Sequence, residues 1–82
     1  MADSSNDWAP RTVTRAEQLV SSGKVRRGLG ELDDAAYNIQ ETDPTWQELF
    51  ERVRAAASVA AQAEGGKYAE KAAEVIQVAT QR

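Results

Sequence analysis

Apolar residues recur at three- and four-residue intervals along most of this chain, and the breaks between the runs are marked by glycine or proline. The clearest run is Val25, Leu29, Leu32, Ala36 and Ile39, which steps by four, three, four and three and so draws one stripe on a helix. Val13, Ala16, Leu19 and Val20 form a shorter stripe before it, with Thr14 and Glu17 at the spacing of a capping box. Trp46, Leu49, Val53, Ala56, Ala60 and Ala63, flanked by Phe50 and Ala57, form a third that is bulky at its start and small at its end. Tyr68, Ala72, Val75, Ile76 and Ala79 form the fourth. The pattern predicts an all-α fold of four helices over about 11–22, 24–42, 44–64 and 67–81, in a single helical domain spanning 11–82. A flexible, polar and acidic tail is expected over 1–10.

Each boundary has a physical cause. Gly23 supplies the left-handed backbone that closes a helix without a Cβ clash, and Gly65-Gly66 offers the same stop. Asp43-Pro44 reads as a start, with Asp accepting from free amides and Pro preset for a first turn. Connections this short make successive helices antiparallel neighbours, hence two antiparallel hairpins in a small helical bundle or a repeat-like stack. Gly28 and Gly30 sit awkwardly inside the second helix. Either Val25 to Gly30 is a linker, or the helix starts near Lys24 and Gly28 lets a neighbouring backbone come close; the phase of Val25 and Leu29 with the downstream stripe favours the second.

Composition narrows the chemistry. The chain has 82 residues, no Cys, no His and a net charge of -3. Without Cys or His it has no disulfide, no thiolate site and none of the commonest general bases or metal ligands. Catalysis, a cofactor, a metal and a small-molecule substrate are therefore not expected. No stretch has the length of a membrane span and the N-terminus lacks the pattern of a secretion signal, so a cytoplasmic protein is expected.

Residues 16 to 49 resemble a tetratricopeptide repeat, carried by Ala16 and Leu19 in one helix, Gly23, Val25, Gly28, Leu32 and Ala35 in the next, the Asp43-Pro44 step, and Trp46 with Leu49 opening another unit. Gly66 and Tyr68 would begin that unit's second helix. The resemblance implies helical hairpins that bind proteins, with Gly28 where paired helices touch. A repeat pair lacking caps also tends to pair with another chain.

Charge is unevenly spread. Residues 11 to 27 hold Arg11, Arg15, Lys24, Arg26 and Arg27 against Glu17 alone, whereas Glu31, Asp33, Asp34, Glu41, Asp43, Glu48 and Glu51 follow with no Lys or Arg among them. Lys24, Arg26 and Arg27 read as a contact patch, or as solvated helix faces attracted to the acidic belt within the fold. A helix-turn-helix over the first two helices is conceivable, but Glu31, Asp33 and Asp34 would flank phosphates, so nucleic acid is an unlikely partner. Asp33 and Asp34 point apart on a helix and share no acid site. Glu48 stands four residues before Arg52, a favourable surface pairing.

These observations predict a non-enzymatic protein–protein interaction module, an adaptor or small assembly subunit, whose partner is another protein or a second copy. A small helix-turn-helix-like nucleic-acid regulator is the alternative. The candidate contact residues are Trp8, Lys24, Arg26, Arg27, Tyr37, Ala56, Ala60, Ala72 and Ile76. Trp8 either staples the first helix or contacts a partner; Tyr37 lies off the main stripe; Ala56, Ala60, Ala72 and Ile76 mark helices with little area to bury unless packed on something larger.

Overall fold

The computed structural model describes residues 8–39 and 45–81, and within these residues the chain is all-α with no strand. Helix α1 spans Trp8–Ser21, α2 Val25–Asn38, α3 Trp46–Gln62 and α4 Ala69–Gln81, with a 3-10 turn at Ala63–Gly66. Pairs α1/α2 and α3/α4 form the two expected antiparallel hairpins. The hairpins then pack on each other through α2 with α4, α1 with α3, and α2 with α3.

Several boundaries differ from the sequence pattern. Helix α1 begins at Trp8 rather than after Pro10, because Ala9 falls in phase with Val13, Ala16 and Val20 and is buried with them. Thr14 and Glu17 thus lie inside the helix and form no capping box. Val25 to Gly30 is helix, not linker. Helix α2 stops earlier than position 42, since Ile39 turns extended while its N–H still bonds Ala35 O. Of the tail predicted over 1–10, residues 8–10 are helical; residues 1–7 and the Asp43-Pro44 start lie outside the described residues.

The α1/α2 turn is closed by the bonds that a left-handed glycine allows. Gly23 has φ +87, its N–H donates to Val20 O at 3.2 Å, and the Lys24 N–H donates to Leu19 O at 2.8 Å. These two bonds satisfy carbonyls that the end of α1 leaves without helical partners. At the other hairpin Glu64, Gly65 and Gly66 all have positive φ, and Glu64 is the one among them that carries a side chain against that conformation.

The core is one continuous apolar cluster. Val13, Leu29, Leu32, Ile39, Leu49, Val53 and Val75 are its largest fully buried side chains, and Trp46 meets Phe50 edge to face at 5.8 Å between ring centroids. Gly28 sets the closeness of α1 and α2. A Cβ built there would stand 2.7 Å from Val20 Cγ2, 3.1 Å from Ala16 O and 3.2 Å from Val20 N. The helices approach so nearly that only a hydrogen fits between them.

Candidate functional site

With the core occupied by apolar side chains, what remains for function lies on the surface. Among the described residues no polar side chain is buried, and no group of three metal-ligating side chains comes together. No helix among them is long and apolar enough to cross a membrane.

Ala60 and Ala72 are fully buried, so neither offers a surface to a partner. They lie in the internal packing that joins the helices, where small side chains allow close approach; this corrects their expected role. Ala56 is nearly buried, although its edge reaches a groove described below, and Ile76 is half-buried against the core. Trp8, Lys24, Arg26, Arg27 and Tyr37 are all exposed.

Trp8 is the first residue of α1 and is 37% exposed. With Thr12 on the next turn and Glu31, Asp34 and Asn38 on antiparallel α2, it walls a shallow concavity of about 540 Å³. Tyr37, between Asp34 and Asn38 in sequence, is 60% exposed. The expected contact aromatics thus lie on the same hairpin, Trp8 in the wall of a concavity that carries two carboxylates and Tyr37 on α2 outside its lining.

The basic patch lies at the opposite end of that hairpin. Lys24 occupies the N-cap position of α2 with no side-chain bond to the free amides, and the first turn holds no acid. Arg26 and Arg27 therefore place positive charge where the helix dipole disfavours it. None of the three makes an ion pair among the described residues. Other members of the two sequence blocks do meet, Arg15 approaching Glu31 at 3.7 Å, and Lys71 of α4 approaches Asp33 of the acidic block at 3.9 Å. Part of the charge segregation is consequently internal to the fold, as weak surface pairs.

Arg52 does not take its predicted neighbour. Its Nε donates to Glu17 Oε2 at 3.1 Å and its Nη2 to Glu17 Oε1 at 2.6 Å, while Nη2 also donates to the Thr14 hydroxyl at 3.1 Å. The forked guanidinium matches both carboxylate oxygens and clamps α1 to α3. The bond to Glu17 holds the Arg52 guanidinium above its ordinary pKa against the lowering effect of partial burial, and the charges of Glu17 and Glu48 add to it.

Above this clamp lies a surface absent from the sequence reading. Glu17, Val20 and Ser21 of α1 and Ala55, Ala56 and Val59 of α3 line a mostly apolar groove of about 260 Å³. Val59 is 62% exposed at its edge. The signal was present in the sequence as a β-branched apolar residue one position off the buried stripe of α3, among Ala55, Ser58 and Gln62.

No protein-family model, no curated protein sequence and no solved structure matches this chain.

Proposed function

We propose that this chain is a non-enzymatic protein–protein interaction module, an adaptor or small assembly subunit acting in the cytoplasm. The observation that carries this reading is the exposure of Trp8, Tyr37 and Val59 outside a core that is otherwise closed. Aromatic side chains contribute large contact area at low entropic cost, which makes Trp8 and Tyr37 suitable anchors for a partner. The Trp8 concavity adds Glu31 and Asp34, a setting that favours a basic segment through charge and the aromatic face. The likeness to tetratricopeptide hairpins is part of the same reading, supported by the contact of Gly28 with Ala16 and Val20.

The test is a quantitative affinity capture with the full chain and with a variant carrying Trp8→Ser and Tyr37→Ser. Proteins retained by the first and released by the second support the reading. An identical retained set from the two baits, or turnover of a substrate by the purified chain, overturns it.

A nucleic-acid role is the second reading, and one observation favours it: Lys24, Arg26 and Arg27 make no ion pair among the described residues and sit at a helix start where the dipole disfavours positive charge. Against it, the exposed side of α2 carries Asp34 further along. Salt-dependent retention on a mixed-sequence duplex column supports this reading, and flow-through at low salt dismisses it.

A further inference from the structure

We infer that the face formed by α1 and α3 pairs with the same face of a second copy of this chain; this rests on the interaction-module reading and names one partner for it.

The face has a definite register. Arg52 bonds residues 35 and 38 positions earlier, Glu17 and Thr14, and the groove residues Glu17, Val20 and Ser21 ascend beside Ala55, Ala56 and Val59. The two helices therefore run parallel, level by level. The same register sets Arg11 level with the first turn of α3, where Glu48 stands, and both are exposed. Helical spacing puts Arg11 on the stripe of Thr14, Gln18 and Ser21, and Glu48 on the stripe of Arg52, Ala55 and Val59. The face thus has an apolar upper part, a clamped middle, and a lower part with a cation on α1 and an anion on α3.

Such a face is complementary to itself. Rotation by a half-turn about an axis parallel to the helices lays α1 of one copy over α3 of the other with every level preserved. Arg11 then meets Glu48 of the second copy, and the reciprocal pair forms by symmetry. At the upper level each exposed Val59 meets the groove between Val20 and Ala55 of the other copy. A protruding valine and an apolar recess at the same height, with opposite charges at a second height, identify the second copy as the occupant.

Sedimentation equilibrium of the full chain over roughly 1 µM to 1 mM spans the affinities expected for an interface of modest size. The chain is expected to dimerise reversibly. Val59→Asp should weaken the dimer at least about thirtyfold by burying an unpaired carboxylate, and each of Arg11→Glu and Glu48→Lys should weaken it about tenfold by setting like charges opposite. Mixing the last two variants in equal amounts should restore association, because Glu at 11 then faces Lys at 48 in one contact and the native pair forms in the other. Circular dichroism of each variant establishes that the fold is kept. A wild-type chain that stays monomeric, a Val59→Asp chain that dimerises like wild type, or a mixture no stronger than its components overturns the proposal. Retention of a different protein through Trp8 and Tyr37 would persist in a monomeric chain, so failure here is distinct from failure of the general reading.

Discussion

Two glycines two residues apart in α2 should respond to the same substitution with opposite sign. Gly30 is exposed and a Cβ there meets nothing within 4 Å, so Gly30→Ala removes only the helix cost of glycine, about 0.5–1 kcal/mol, and stabilises the fold. Gly28→Ala gains the same propensity but drives a methyl to 2.7 Å from Val20 Cγ2 and 3.1 Å from Ala16 O. The valine methyl has some freedom to move; the carbonyl has none unless α1 and α2 separate. Overpacking of this kind costs about 1–3 kcal/mol, so Gly28→Ala should be destabilising on balance. The propensity term is common to both variants and cancels in their difference, leaving about 1–3 kcal/mol as the packing cost of one methyl at the helix crossing. Urea unfolding followed by far-UV circular dichroism measures both. For a chain of this size the two melting temperatures should differ by roughly 4–8 °C per kcal/mol. Adding Val20→Ala to Gly28→Ala should recover part of the packing loss in a double-mutant cycle. A Gly28→Ala chain as stable as Gly30→Ala would refute the close approach of α1 and α2.

Three further substitutions probe the remaining features. A double-mutant cycle of Glu17→Gln and Arg52→Met should give a coupling of about 0.5–1 kcal/mol, discounted for partial exposure, and the coupling should shrink in concentrated salt; a coupling unaffected by salt would show that packing, not charge, joins the helices. Glu64→Asn should stabilise by about 0.5 kcal/mol in thermal melts, since Asn tolerates φ +51 better than Glu, and a lower melting temperature would count against the turn geometry. Lys24→Asp should stabilise by about 0.5–1 kcal/mol by capping α2 and complementing its dipole, and loss of stability would mean that Lys24 has a structural partner.

The helices were legible because burial imposes a period. Val25, Leu29, Leu32, Ala36 and Ile39 are all buried as their spacing predicts, and Gly28 was readable as a contact because its helix cost needs an offsetting gain. The alanine-rich stripes misled for a related reason. Ala60 and Ala72 carry the mark of close helix approach, but a sequence does not say whether the approaching helix belongs to the same chain. Arg52 shows the same limit in polar form: Glu48 is visible as a neighbour four residues away, while Glu17 is brought near only by tertiary packing. Val59 escaped notice because exposure is a property of the assembled fold. The start of α1 was missed because Ala9 gives a weak apolar signal, although the packed helix excludes solvent from it completely.

If the exposed Val59 serves a second copy of this chain and not the core, it should contribute little to the isolated fold and much to the associated one. The melting temperature of the wild-type chain and of Val59→Asp, measured across protein concentrations from about 1 µM to 1 mM, tests this directly. At a concentration 100 times the dissociation constant, binding adds about 2.7 kcal/mol of apparent stability, so the wild-type melting temperature should climb with concentration. Val59→Asp should melt at nearly the same temperature at every concentration, offset downward only by the small cost of an acid in the last turn of α3. A wild-type chain whose melting is independent of concentration, or a variant whose melting climbs with concentration as steeply as wild type, would contradict it.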